Sequence, residues 1–157
     1  MIQRIQSVFL LLLALAMGSV LFLPLWHKVD PQSGQELTLT ALSLAFTGGA
    51  NPHSGGSTWP IGALAAASAA LAIFEIFQYR NRFLQLKLGT LNMLLICGVI
   101  GAGFFYSTQG EMLLNVKLRG AYQAGFYLPT FALLLNLRAN RFIRSDERLV
   151  RSMDRLR

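Results

Sequence analysis

An all-α membrane protein, a bundle of four transmembrane helices under a small extracytoplasmic β cap, is the fold class this 157-residue chain predicts. Three observations predict it. Four apolar stretches, 5–26, 59–79, 88–108 and 122–137, each approach the roughly 20 helical residues that a bilayer core of about 30 Å requires. A single charged residue, Glu75, falls inside them. The basic residues between them gather on one side, as a threaded chain requires.

Composition agrees. Hydrophobic residues make up 54% of the chain and charged residues only 13%, where a soluble protein carries about 25% charged. At this length one membrane domain, 1–157, accounts for the chain. The net charge of +7 would point to nucleic acid in a soluble protein, but its placement gives a better reason for it. If sides alternate from helix to helix, one side receives Arg4, Arg80, Arg82 and Lys87. The same side receives the tail residues Arg138, Arg141, Arg144, Arg148, Arg151, Arg155 and Arg157. Only Lys28, Lys117 and Arg119 fall on the other. Lys and Arg mark the cytoplasmic side, so both termini are expected there, with loops 27–58 and 109–121 outside. Trp26, Trp59, Tyr79, Tyr106 and Tyr122 stand at the span ends, where amphipathic rings favour the headgroup layer.

The first stretch, 5–26, opens after Arg4 and contains Ala14-Leu15-Ala16, which mimics a signal-peptide cleavage site. Hydrophobicity continues to Trp26, which would bury that site in lipid, so an uncleaved anchor is expected. The loop after it opens with Asp30-Pro31-Gln32-Ser33-Gly34, a turn composition. From Glu36 to Phe46 apolar and polar residues alternate with period two, as in a half-buried strand. Gly48-Gly49, Asn51-Pro52 and Gly55-Gly56 then return the chain to Trp59.

The second helix, about 59–79, carries Gly62, Ala66 and Ala70 at four-residue spacing beside Ala63 and Ala67. The third, about 88–108, carries Gly98, Gly101, Ala102 and Gly103. Ala14, Gly18, Ala121 and Gly125 supply small residues elsewhere, and such spacing lets helices approach closely in lipid. Cys97, the one cysteine, reads as a small buried apolar side chain. In the second outer loop Leu114, Val116 and Leu118 alternate with polar residues. A lone strand needs a partner, so 38–46 and 113–118 are expected to pair as the cap. The fourth helix, about 122–140, contains Pro129, which should kink it. A tail, 141–157, follows as a basic amphipathic segment. In it Ser145-Asp146-Glu147 resembles a helix start, and Leu149, Val150, Met153 and Leu156 share one face. Arg148, Leu149, Arg151, Met153 and Arg155 are its candidates for docking a membrane surface or a partner.

Chemistry is sparse. Glu75 is an ionisable group inside a span and is a functional candidate for that reason. It lies five residues from Arg80, about 7 Å of helix rise from the cytoplasmic edge, where it can pair with a cation such as Arg4. Gln6, Gln78, Asn92 and Asn136 fall at similar depth, so Arg4, Gln6, Glu75, Gln78, Asn92 and Asn136 form a candidate intramembrane polar cluster. His27 and His53 could meet Asp30 or Glu36 outside, but they lack metal-ligand spacing, and no metal is expected. No catalytic or cofactor-binding residues are expected. There is no Gly-x-Ser-x-Gly, no P-loop glycine pattern, and no Cys and His on one side of the membrane. Nucleic-acid binding by the tail is not expected either, since Phe142 is its lone aromatic.

Met1-Ile2-Gln3-Arg4-Ile5-Gln6-Ser7-Val8 and the ending Asp146-Glu147-Arg148-Leu149-Val150-Arg151-Ser152-Met153-Asp154-Arg155-Leu156-Arg157 resemble the two ends of an uncharacterised family of small four-helix membrane proteins from Bacteroidota. The resemblance implies a bacterial inner-membrane location, but no activity and no functional residues. The layout of four spans and a long first outer loop with strand character also resembles claudin-type proteins, without their paired outer cysteines. The function expected from all this is a non-enzymatic structural or accessory subunit, its partners the lipid bilayer and other membrane proteins. The alternative is a small transporter or lipid-binding protein using Glu75.

Overall fold

The computed structural model describes the backbone of residues 2–48, 54–78, 81–114 and 117–154; the side chains of 2–4, 54, 82 and 146–154 lie outside the description. Four helices are joined to one antiparallel sheet. In chain order the elements are α1 (Ile2–Val20), β1 (Trp26–Asp30), β2 (Gln35–Leu39), β3 (Ser43–Thr47), β4 (Ser54–Ser57), α2 (Trp59–Phe77), α3 (Arg82–Leu113), β5 (Ala121–Tyr122) and α4 (Ala124–Asp154).

Each helix packs on its chain neighbours, and α1 closes the ring on α4. Neighbours run antiparallel. Phe9 stacks on Phe142 at one end while Gly125 meets Pro24 at the other. Likewise Asn136 bonds Gly89 far from the contact between Phe104 and Phe126. Among the described residues two helices, α2 and α3, are long and apolar enough to cross a membrane, and the described apolar part of α1, Ile5–Val20, is shorter.

The inward faces follow helical spacing. In α3 the buried stripe is Gln85, Gly89, Asn92, Ile96, Val99, Gly103, Ser107 and Gly110, repeating every three or four residues. In α2 it is Ile61, Gly62, Ala65, Ser68, Ala72 and Glu75. The outward faces carry the large apolar side chains: Ile73, Phe74 and Phe77 on α2, Leu91, Leu94 and Phe105 on α3, Phe131, Leu134 and Leu137 on α4. Small and polar residues thus share the seams with Leu10, Leu13, Ile96, Phe126 and Leu135, while many other large apolar side chains face away.

The sheet has the order β4-β3-β2-β1-β5, antiparallel throughout. The Asp30–Gly34 turn joins β1 to β2 as its composition predicts. Asp30 accepts the Gln32 amide and the Ser33 hydroxyl, and Gly34 takes a positive φ of 64°. These bonds, the Gln32 amide foremost, hold the Asp30 carboxyl below its ordinary value. The sheet also caps helix ends. The Gly62 amide at the start of α2 donates to the Ala41 carbonyl, and the Gly125 amide at the start of α4 donates to Pro24. Helix amides that lack an intrahelical acceptor are thereby satisfied by the cap.

Several expectations are corrected. The segment 38–46 is not one strand facing 113–118. Thr40 turns the chain, its hydroxyl bonding Ser43, so that β2 pairs with β3 and with β1. In the second loop α3 continues to Leu113, Leu114 and residues 117–118 are bend and turn, and only β5 joins the sheet; Asn115 and Val116 lie outside the described residues. The first helix stops at Val20, because the five residues from Trp26 to Asp30 enter the sheet, where Trp26 is buried in protein rather than presented at a span end. Ser145 lies within α4, which runs through Pro129 and on into the tail as one helix, so no second helix starts there. Ala63, Ala66, Ala67 and Ala70 are exposed, since the packed face of α2 runs through Ala65 and Ser68 instead. Cys97 is exposed as well, because the buried stripe of α3 passes through Ile96 and Val99.

Candidate functional site

The buried polar residues form a ladder along α3, its rungs alternating between α2 and α4. Gln85, at the tail end, donates its side-chain amide to the Glu75 carbonyl of α2 at 3.3 Å. One turn on, the Gly89 carbonyl accepts the Asn136 amide of α4 at 2.9 Å, and Asn140 donates to the Asn136 oxygen. One further turn on, Asn92 accepts the hydroxyl of Ser68 of α2 at 2.5 Å. A side chain at position 89 would collide with Asn140, so glycine is what lets α4 come this close.

The ladder absorbs part of the predicted cluster. Asn92 and Asn136 are fully buried helix-to-helix links. Gln6 is buried on α1, its carbonyl oxygen without a donor among the described residues. Gln78 is half-buried and only its backbone amide engages Glu75, through the Glu75 carbonyl. Glu75 itself is fully buried, and neither carboxylate oxygen meets a donor among the described residues. The expected Arg4 partner has its side chain outside the described residues. The side chains of Arg148, Leu149, Arg151 and Met153, and all of Arg155, lie outside them too; the backbone of α4 continues through 154. Sequence reasoning missed Ser68, Gln85, Gly89 and Asn140. Their signal was the helical spacing of Gln85, Gly89 and Asn92, which places polar and small residues on one face.

A second polar centre, wholly missed, sits under the sheet. Lys28 is buried, and its ammonium donates to the Glu111 carboxylate at 2.7 Å, the Glu111 carbonyl at 3.0 Å and the Leu114 carbonyl at 3.2 Å. Those are all three of its donors. Glu111 also accepts the Gly120 amide at 2.7 Å. One ammonium therefore ties β1 to the end of α3, and its carboxylate partner holds the following loop. The neighbouring Trp26 ring lies against Gly110 and Gly120, where any added side-chain carbon would strike it. The clue was Trp26, Lys28 and Asp30 at period two, all facing inward.

His27 lies 3.5 Å from Glu36 across β1 and β2, and His53 is outside the described residues. Among the described residues no group of three His, Cys, Asp or Glu side chains is placed to hold a metal ion.

Between α3 and α4, at the tail end, lies a groove of about 600 Å³ lined by Thr90, Met93, Leu137, Asn140, Arg141, Arg144 and Ser145. Residues 2–156 match a family described as a domain of unknown function (DUF4293). No curated protein matches the chain.

Proposed function

The chain belongs to that DUF4293 family, and for it we propose an integral membrane protein of four spans with both termini cytoplasmic, serving as a non-enzymatic structural or accessory subunit of a bacterial inner membrane. The observation that carries the membrane reading is how little of the apolar helices α2 and α3 is buried. In the apolar windows of α2 and α3 only 33% and 28% of residues are buried, whereas the core helix of a soluble protein is mostly buried. What is buried includes Gln6, Ser68, Glu75, Gln85, Asn92 and Asn136. Hydrogen-bonded amides within the core and large apolar side chains over the exposed helix faces suit a hydrocarbon solvent, where helices associate through small residues and hydrogen bonds. The 19 residues of α1 extend about 28 Å, close to the bilayer core. The apolar part of α4 ends at Arg138, from which the side chain can reach the interface.

The accessory reading is supported by what the polar groups do. Ser68, Asn92, Asn136 and Lys28 are engaged in bonds between elements, as befits a scaffold. Single cysteines at Ser57 and Ser145 in a Cys97→Ala background test the threading. In intact spheroplasts an impermeant reagent should label Ser57→Cys alone, and labelling of both would overturn the orientation. Purification in mild detergent should bring down partner proteins. A lone homogeneous species that takes up a radiolabelled substrate would overturn the accessory role.

One observation favours the transporter reading: the Glu75 carboxylate is fully buried yet meets no donor among the described residues. A scaffold in which Glu75 pairs with Arg4 predicts that Glu75→Gln, which keeps an acceptor, is tolerated and that Glu75→Leu is worse, because Arg4 would be left without one. Proton coupling predicts that Glu75→Gln abolishes function at unchanged protein abundance. Abundance and growth of a deletion strain carrying each variant separate the two.

A further inference from the structure

We propose that the groove between α3 and α4 holds an anionic phospholipid of the cytoplasmic leaflet, its phosphate at Arg141 and Arg144 and an acyl chain descending past Met93 and Leu137. The proposal rests on the membrane reading above and adds to it a ligand class and a site.

Three features carry it. The first is charge. Arg141 and Arg144 line the groove together with Asn140 and Ser145, and among the described residues no carboxylate lines it. A smaller hollow of about 370 Å³ shares Arg141 and Ser145 and adds Arg138 and Phe142, so Arg141 faces two adjoining spaces. None of the three arginines has an ion-pair partner among the described residues. A guanidinium fork matches phosphate oxygens in geometry as well as charge. Thr90 is not a donor here, because its hydroxyl already donates to the Leu86 carbonyl.

The second is the polarity gradient. Leu134, Leu137, Arg141 and Arg144 recur every three or four residues, so they share one face of α4. Thr90, Leu94 and Cys97 do the same on α3, with Met93 beside them. Seven residues separate Leu137 from Arg144, about 10 Å along the helix. The groove is therefore basic at its tail end and apolar toward the middle of the bundle, where Leu94 and Leu134 stay exposed to continue it. An amphiphile fits that gradient, and a free anion would leave the apolar half unused. The third is size: about 600 Å³ lies within the ~300–1,000 Å³ of small-molecule sites. Basic pockets between helices on the cytoplasmic side are where acidic headgroups bind.

The test uses the full chain in mild detergent with equimolar phosphatidylglycerol and phosphatidylcholine, read by native mass spectrometry. Wild type should retain phosphatidylglycerol by about tenfold over phosphatidylcholine. Arg141→Gln/Arg144→Gln should bring the ratio close to one, while the equally charge-reducing Arg80→Gln/Lys87→Gln should leave it unchanged. Equal retention by wild type, or the same loss in both double variants, overturns the site. So does complete displacement of the lipid by inorganic phosphate, or a lipid-free dimer as the sole species. A phosphatidylglycerol with a photoreactive headgroup, used on unmutated protein, should label residues 140–145; labelling only elsewhere overturns it without relying on any variant. Resistance to alkaline carbonate in pure phosphatidylcholine vesicles reports on membrane insertion separately, and its loss would count against the membrane reading rather than the lipid's identity.

Discussion

Lys28 shows how one side chain can decide the placement of a sheet. Its ammonium is buried, and every donor is engaged by the end of α3. Removing it would leave the Glu111 and Leu114 carbonyls and one oxygen of the Glu111 carboxylate without this donor, the Gly120 amide remaining on the other. Breaking a buried pair costs about 3–5 kcal/mol, and the low end applies here because the Glu111 side chain is one-third exposed. Lys28→Met is therefore expected to lower the thermal unfolding midpoint in detergent and to expose the 27–47 segment to protease. An unchanged midpoint and cleavage pattern would show that the ammonium is not what holds the sheet. From the sequence, Lys28 was read only as one of three basic residues on the sparse side. Its burial depends on Glu111, which lies 83 positions away, and no local pattern announces such a pairing.

At the scale of elements, helices were legible and the strands were half so. The apolar stretches located all four helices because solvent imposes itself on every residue of a long segment. Their ends were less legible. The ends of α1 and α3 are set by the sheet, through Trp26 entering β1 and Lys28 capping α3, and such contacts act at a distance. The period-two pattern over 36–46 correctly announced extended chain, but it passes over the turn at Thr40, because Ala41 and Leu42 continue the apolar content. The polar ladder was legible in its residues Asn92, Asn136 and Glu75 and illegible in its bonds, since Ser68 and Gly89 carry no signal of their own. Gly89 gives the sharpest test at this scale. Gly89→Ala places a methyl against Asn140 and should cost about 1–3 kcal/mol by overpacking. Adding Asn140→Ala should restore much of that loss, so the two substitutions will be non-additive in thermal unfolding. Simple addition would mean that the close approach at Gly89 is not what joins α3 to α4.

Across the whole molecule, the sheet and the tail are ends of the same object. α4 is one helix of 31 residues, about 46 Å long, with its first turn bonded to the Pro24 carbonyl under the sheet and its last turns among the arginines. It has no loop along that length, and Pro129 falls in its second turn, near the bonded end. Mechanically this is a push-rod clamped at one end. A load on the arginine-bearing end has no joint in which to dissipate, so any displacement there must be delivered to the sheet or resisted by it. Spin labels at Ser57 and Ser145 should accordingly give one narrow distance distribution, and a broad or double one would reveal a hinge. If the rod is as stiff as it is continuous, whatever grips its arginines at one end of the bundle has leverage over the shape presented at the other.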